Sequence, residues 1–144
     1  MWFSHTKLWR AFTDGACYDG AGGWAYVLYP PRGPKVLQTG TELGTTAIRM
    51  ELAAALGALR AVPLGSRLTV VTDSLTMVNI ATGRWRQDSN SDLWHDIYAE
   101  VKNRRVEWEW TEGHHLAEGN READALAQRA MRGAVRLLAR KGGR

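Results

Sequence analysis

The sequence contains a single cysteine, Cys17, in 144 residues, and it has no long uninterrupted apolar run. One thiol excludes an internal disulfide and any zinc site built from several cysteines. This scarcity is typical of proteins from a reducing compartment, and we expect a cytoplasmic location. The longest apolar stretch, residues 47–62, is broken by Arg49, Glu51 and Arg60 and is therefore no transmembrane span. The first ten residues, MWFSHTKLWR, lack the basic-then-apolar order of a secretory signal.

Acidic residues are absent from Arg129 onward, although the whole chain carries a net charge of only +4. Six of the 19 basic residues lie in this last segment, which leaves 13 basic against 15 acidic residues in the rest of the chain. The six are Arg129, Arg132, Arg136, Arg140, Lys141 and Arg144. Such a run either contacts a polyanion or forms a solvated helix face, and the solvated face is the commoner meaning.

Length and composition indicate one folded domain over residues 1–144, with 44% hydrophobic and 24% charged residues and no internal repeat or linker. Five stretches favour β-strands, at residues 7–14, 23–29, 35–42, 67–72 and 106–110. Four stretches favour helices, at residues 46–62, 74–82, 91–103 and 120 to about 140, and Asn120 is the expected N-cap of the last. This order predicts an α/β fold in which helices pack on a mixed sheet.

Four acidic residues stand out because of their positions in these predicted elements. Asp14 ends the first strand, Glu51 lies in the first turns of the first helix, Asp73 follows the fourth strand, and Asp124 begins the last helix. Each has an ordinary structural explanation, since aspartate is common at strand ends and acids in a first helical turn stabilise the helix dipole.

The strand contexts of two of these acids favour a functional explanation. Both FTDG and VVTDS place an aspartate directly after an apolar strand and a threonine. Neighbouring strand ends bring such carboxylates close together, where they repel and raise each other's pKa, so clustering them gives no structural benefit. A divalent cation reverses that balance, and oxygen ligands without Cys or several His favour Mg²⁺ or Mn²⁺ over zinc.

Four motifs together resemble type 1 ribonuclease H: FTDGAC, TTAIRMELAAAL, VVTDS and EGHHLAEGNREADALA. The resemblance spans nearly the whole chain in the family's order. It implies a ribonuclease H-like α/β fold with a five-stranded mixed sheet, three antiparallel strands followed by two parallel ones, flanked by helices. It also implies that the metal-binding and catalytic carboxylates are those of Asp14, Glu51, Asp73 and Asp124.

The activity implied by the resemblance is endonucleolytic cleavage of the RNA strand of an RNA–DNA hybrid. Two Mg²⁺ ions, or Mn²⁺ in their place, would assist the hydrolysis and leave 5′-phosphate and 3′-hydroxyl ends. The histidine that follows the glycine in GHH is His114, and the resemblance makes it the catalytic histidine that helps proton transfer or product release; its neighbour His115 is incidental. We expect a stand-alone, monomeric enzyme with no preceding hybrid-binding domain and no membrane contact.

Substrate contacts also follow from the resemblance. Trp85 corresponds to a tryptophan that packs against the DNA strand, and Thr46 and Asn90 correspond to a pocket for a DNA phosphate. Cys17 and Ser74 correspond to residues beside the substrate. Trp94 aligns with another tryptophan of the same region, and we expect it in the core because large aromatic residues near helices are usually buried.

The sequence departs from the family pattern in three places. Only RQDS separates Trp85 from Asn90, so the basic helix and loop that many cellular members carry there are missing. The arginines at 129, 132, 136 and 140 form one stripe at three- and four-residue steps and are a candidate substitute, against the alternative of a solvated face. Amide side chains that often contact bases are replaced by Ala47, Ile48 and Leu75, and the loop after Cys17 is short.

Three alternative functions remain to be weighed. A catalytically weak or silent nucleic-acid-binding domain of the same fold would have lost one or more carboxylates, and all four are present. Another nuclease of the same broad fold would share clustered acids without this RMEL, GHH and GNREAD set. A phosphate-cradling nucleotide enzyme needs a Gly-rich loop followed by Lys and Ser or Thr, which YDGAGG lacks.

Overall fold

A computed structural model describes residues 7–112 and 117–142 of the chain. The strands are β1 (Leu8–Tyr18), β2 (Ala21–Tyr29), β3 (Val36–Leu43), β4 (Arg67–Thr72) and β5 (Arg105–Trp110). The helices are α1 (Ala47–Ala61), α2 (Leu75–Ala81), α3 (Ser91–Val101) and α4 (Glu118–Gly142). None of the helices in the described part of the chain has the length and apolar character needed to cross a bilayer.

The five strands form one mixed sheet in the order β3-β2-β1-β4-β5. β1, β2 and β3 pair antiparallel, whereas β4 and β5 continue the sheet from β1 in parallel. Residues 19 and 20 form the turn between β1 and β2, and both Asp19 and Gly20 have positive φ, at 49° and 80°. This conformation suits a two-residue hairpin turn because its twist matches that of the flanking strands. The predicted sheet of three antiparallel and two parallel strands is confirmed.

The pleat of the sheet divides the core into two layers, because successive side chains of a strand point to opposite faces. On one face Ala11 of β1 packs with α1 and α3, in a cluster that includes Leu52, Leu59 and Trp94. Phe12, the next residue of β1, packs on the other face against Val71 and Ala123 of α4. Trp94 is 1% exposed, so its predicted place in the core is confirmed.

Two predicted boundaries are wrong. β1 does not end at Asp14 but runs on to Tyr18, because its antiparallel ladder with β2 continues as far as the Tyr18–Ala21 pair. The parallel ladder with β4 ends one residue before Asp14, at the Thr13–Thr72 pair. Asp14 therefore lies beyond the end of β4 while it is still held in a strand.

The start of α4 is the second wrong boundary. The helix begins at Glu118, and Asn120 lies inside its first turn with 2% of its surface exposed. The backbone N–H of Arg121 donates to the carbonyl of Ala117, so helical hydrogen bonding has begun before Asn120 could act as a cap. Asp124 consequently lies in the second turn of α4 and does not begin the helix.

A close contact between β1 and α1 fixes how the helix lies against the sheet. A β-carbon at Gly15 would collide with the backbone N–H of Glu51 and with the backbone carbon of Met50. Because backbone atoms cannot move aside as a flexible side chain can, only glycine permits this distance between strand and helix. Gly15, the residue after Asp14, therefore lies directly against the backbone of Glu51.

We predict that Gly15→Ala destabilises the protein by about 1–3 kcal/mol, because the added methyl group must push α1 away from β1. Urea denaturation followed by circular dichroism measures the change in the free energy of unfolding.

Gly133→Ala is the matched control within α4. A β-carbon there would meet only the end of the Arg136 side chain, at 3.8 Å. Since alanine is the better helix former, this variant should gain about 0.5–1 kcal/mol. Equal stability of the two variants would contradict the role assigned to Gly15.

Candidate metal centre

Three carboxylates from separate parts of the chain converge at one edge of the sheet. Asp14 extends from β1, Glu51 from the second turn of α1, and Asp73 from the residue that follows β4. One carboxylate oxygen of each lies within 4.8 Å of the other two. The first three predicted carboxylates are therefore brought together, although Asp73 lies 59 positions after Asp14 in the chain.

Hydrogen bonds hold the backbone around Asp73 in place. The Ser74 N–H donates to the Thr72 hydroxyl at 3.0 Å, and the indole N–H of Trp110 donates to the Asp73 carbonyl at 3.2 Å. The Ser74 hydroxyl accepts from the N–H of Met77 at 3.2 Å and caps α2. Ser74 thus fixes the turn from β4 into α2, which directs the Asp73 side chain toward the other two acids.

Burial and mutual repulsion dominate the electrostatics of this cluster. Burial, reinforced by the nearby negative charge of Asp73, raises the pKa of Asp14 to about 8. Burial and the charges of Asp14 and Asp73 raise the pKa of Glu51 to about 10. The N–H of Gly15 donates to the Asp14 carboxylate at 2.8 Å and opposes the rise for that group. Without a cation the cluster therefore retains protons at neutral pH.

Asp124 lies next to this group from the opposite side of the sheet. A hydrogen bond with the Asp124 side chain and its negative charge both contribute to the raised pKa of Asp14. Asp124 is exposed and is not one of the three acids whose oxygens lie mutually within 4.8 Å. The structure thus places the fourth predicted carboxylate beside Asp14, at the rim of the cluster.

The donor atoms fit a hard divalent cation. The Oε1 atom of Glu51 is buried and has no hydrogen-bond partner among the residues that the structure describes. An unpaired buried oxygen costs free energy unless a cation or another donor satisfies it. Every donor in the cluster is a carboxylate oxygen, which is the ligand type that Mg²⁺ and Mn²⁺ prefer. The residues present therefore suit such an ion.

A second cluster joins the two predicted phosphate-pocket residues through a residue that the sequence prediction missed. Thr46 is the N-cap of α1, where its hydroxyl accepts from the N–H of Arg49 at 3.2 Å. The Arg49 guanidinium donates to the Asn90 side-chain carbonyl at 3.2 Å and to both carboxylate oxygens of Asp92, at 3.1 and 2.8 Å. The signal that could have found Arg49 is its place in RMEL, two residues before Glu51.

The hydrogen bonds from Arg49 to Asn90 and Asp92 hold the start of α3 in place. Asn90 precedes that helix with a left-handed φ of 57°, a conformation that asparagine tolerates better than most residues. The guanidinium of Arg49 lowers the pKa of Asp92 to about 2, so this carboxylate remains charged through the neutral range. Thr46 and Asn90 are thereby held on neighbouring helix starts.

The remaining predicted residues differ in exposure. Trp85 is 51% exposed in the segment between α2 and α3, so its ring is accessible. Cys17 is partly exposed, and its thiol lies 3.6 Å from the carbonyl of Thr45. His114 lies outside the described residues, and its predicted role stays a prediction.

Comparison with known proteins shows the family of this chain. Residues 7–132 match the family model described as RNase H. The chain is 39% identical to a ribonuclease H of Dinoroseobacter shibae over 140 residues, covering 84% of this chain and 89% of that protein. It is 34% identical to a ribonuclease H of Rickettsia canadensis over 143 residues, covering 88% and 91%.

A solved structure shows the same fold. The N-terminal RNase H domain of a Mycobacterium tuberculosis protein, solved as a fusion with maltose-binding protein, superposes with a TM-score of 0.82 at 20% identity. The match covers 92% of this chain and 99% of that one.

We predict that the metal-free protein loses stability as the pH rises from about 4 toward 8. The unfolded chain releases the Asp14 proton near its ordinary pKa of 3.8, whereas the folded chain holds it to about 8. Between these values the folded state binds more protons than the unfolded state, so rising pH favours unfolding. Removing this charge in Asp14→Asn should raise Tm at pH 8 by roughly 3–6 °C and change it little at pH 4.

Thermal melts in EDTA at both pH values measure the effect. Asp88→Asn, an exchange at an exposed loop position, is the control for a simple change of net charge. An equal rise of Tm in both variants, or a rise for Asp14→Asn that is the same at pH 4 and pH 8, would contradict the role of buried repulsion.

Proposed function

Because this chain belongs to the ribonuclease H family, we propose that it cleaves the RNA strand of RNA–DNA hybrids by metal-dependent hydrolysis. The observation that carries the proposal is the convergence of Asp14, Glu51 and Asp73. Their burial and mutual repulsion give no structural benefit, and a divalent cation beside a phosphate backbone accounts for them. The products would be 5′-phosphate and 3′-hydroxyl ends.

The four carboxylates have separate tasks in this proposal. Asp14, Glu51 and Asp73 would hold the metal from one side, and Asp124, at the rim of the cluster, would complete the set. Two Mg²⁺ ions, or Mn²⁺ in their place, would supply the Lewis acidity for hydrolysis when bound by these carboxylates. The backbone hydrogen bonds around Asp73 and the close contact at Gly15 keep the carboxylates oriented before substrate arrives.

Proton transfer and the distinction between RNA and DNA would depend on other features of the site. His114 would exchange a proton during the reaction or assist product release, as an imidazole can near neutral pH. The 2′-hydroxyl of the ribose is the group by which the enzyme would tell RNA from DNA at the cleaved strand. Cys17 and Ser74 flank the carboxylates in sequence and are proposed to lie beside the bound strand.

The uncleaved strand would be held by the second cluster. We propose that Thr46 and Asn90 bind a phosphate of the DNA strand and that the Trp85 ring packs against the same strand. Arg49 would act as a positioning residue, since it ties Asn90 and Asp92 to the start of α1. This arrangement supports binding by a rigid pocket whose two walls are the starts of α1 and α3.

Three broader predictions accompany this proposal. The chain would act as a single catalytic domain, as a monomer and in the cytoplasm, and none of these depends on the details of the metal centre. The competing function is a catalytically weak or silent nucleic-acid-binding domain, and the first experiment below separates it from an active nuclease.

We predict that Asp14→Asn reduces Mg²⁺-dependent hybrid cleavage below about 1% of the wild-type rate and leaves the fold intact, because one carboxylate ligand is lost. Labelled RNA–DNA hybrid, double-stranded RNA and double-stranded DNA, each with Mg²⁺ or with EDTA, provide the assay. Near-normal cleavage by the variant would rule out Asp14 as a ligand, and binding without cleavage by the wild-type protein would support the silent domain.

We predict that Arg49→Lys raises the hybrid concentration for half-maximal rate by about 5- to 20-fold with little change in the maximal rate, because lysine cannot replace the two-pronged contact with Asp92. Single-turnover kinetics separate the two quantities.

Arg60→Lys is the matched control on the same helix. Arg60 also pairs with α3, through Asp96 at 3.7 Å and Glu100 at 3.3 Å, but it lies at the opposite end of α1 from Thr46. An increase of similar size in Arg60→Lys would show that any loosening of α1 and α3 is sufficient and would remove the specific role of Arg49.

A further inference from the structure

The part of β1 beyond Asp14 forms one wall of a groove with α4. Ala16 and Tyr18 lie on the same face of the strand as Asp14, because they follow it at two-residue steps. Ala16 packs against Ala127 of α4. Tyr18 lines an open groove of about 360 Å³ with four residues of the same helix, which are Met131, Arg132, Val135 and Arg136. β1 and α4 therefore leave the metal centre side by side and enclose this groove together.

Two independent lengths place the groove at a fixed distance from the carboxylates. Arg132 follows Asp124 by eight residues of α4, which is about 12 Å at 1.5 Å per residue. Tyr18 follows Asp14 by four residues of β1, which is about 13 Å at 3.3 Å per residue. Along a duplex at 3.4 Å per base pair, this distance corresponds to about four base pairs.

The residues that line the groove include two arginines and no acidic residue. Arg132 and Arg136 are both exposed, and neither belongs to any ion pair found within residues 7–112 and 117–142. From Ala125 to Gly142 helix α4 carries no acidic residue. The nearest acid in sequence to Tyr18 is Asp19, which lines an adjoining depression that shares Tyr18 and Val135 with this groove.

The aromatic wall of the groove is unusually accessible. Tyr18 is 65% exposed, although it ends a strand whose preceding residues are largely buried. The apolar floor is provided by the partly buried side chains of Met131 and Val135. An exposed ring beside two guanidinium groups has the chemistry of a nucleotide subsite, in which the ring packs on a base or sugar and the arginines bind the phosphate.

We propose that the groove between Tyr18 and the Arg132–Arg136 pair is a distal subsite for the nucleic-acid backbone, about four nucleotides from the cleaved bond. The proposal rests on the function proposed above, since the bound strand is the continuation of the strand at the carboxylates. Within the basic stripe of α4 it assigns binding to Arg132 and Arg136 and leaves Arg129 and Arg140 as solvated charges.

The test compares two double variants with the same change of charge on the same helix. In the first, Arg132 and Arg136 are replaced by glutamine; in the second, Arg129 and Arg140 are replaced by glutamine. Single-turnover cleavage of a hybrid of about 18 base pairs gives the half-saturating protein concentration and the maximal rate at several salt concentrations. Thermal melts of each variant confirm that the protein remains folded.

We expect the first double variant to raise the half-saturating concentration by about 10-fold or more at moderate salt, with the maximal rate within about 2-fold of wild type. Its slope of log affinity against log salt should fall by about 1 to 2, because each lost phosphate contact removes about 0.9. The second double variant should change the half-saturating concentration less than about 3-fold. Tyr18→Ala should raise it by about 5-fold without changing the salt slope, because a stacking contact releases no counterions.

Hybrid length gives a geometric readout that general charge cannot imitate. One hybrid is shortened to about three base pairs on the side of the cleaved bond that extends toward Tyr18. It cannot reach the groove, so wild type and the first double variant should bind it equally. Equal effects of the two double variants, or a loss that is the same for long and shortened hybrids, would overturn the subsite. If the wild-type protein cleaves no hybrid at all, the proposed function fails instead, so the two failures are distinguishable.

Discussion

Repulsion among the carboxylates of Asp14, Glu51 and Asp73 is the constraint that the rest of the structure must withstand. These acids would separate if the elements that carry them were mobile, since the negative charge of Asp73 raises the pKa of both Asp14 and Glu51. The supports are therefore stiff: a strand paired with β2, a helix in backbone contact with Gly15, and a turn fixed by hydrogen bonds around Asp73. Stability is sacrificed locally so that the donor atoms are already in position.

Much of the fold follows from the sequence because its signals are local. Alternation and turn residues identify all five strands, and the run of alanine and leucine identifies α1, whereas the capping role of Thr46 is seen only in the structure. The errors occur where distant partners decide the outcome. β1 extends past Asp14 because β2 still pairs with it there, and α4 begins before Asn120, where the N–H of Arg121 already donates to the carbonyl of Ala117. Neither partner is visible from the local pattern.

The candidate site divides in the same way. Four acids can be selected from motif order, yet only the sheet order shows that Asp73 follows the strand next to the one that carries Asp14 and that Asp124 approaches from the other face. Arg49 was missed because its partners, Asn90 and Asp92, are about forty residues away and become neighbours only when α1 and α3 pack together. The hydrophobic periodicity of the sequence does not single out Arg49, because its contacts with α3 form only in the folded protein.

β1 pairs with β2 over a longer stretch than with β4, and this difference separates the length of the β1–β2 hairpin from the position of the carboxylates. Only the hairpin with β2 extends beyond Asp14, and an antiparallel hairpin can lengthen by one residue on each arm without altering the Asp14–Ala25 pair. Each such addition would move the tip outward by about 3.3 Å and leave the pairing at Asp14 unchanged. Insertions at the tip of this hairpin can therefore change the length of the hairpin while the carboxylates around Asp14 keep their positions.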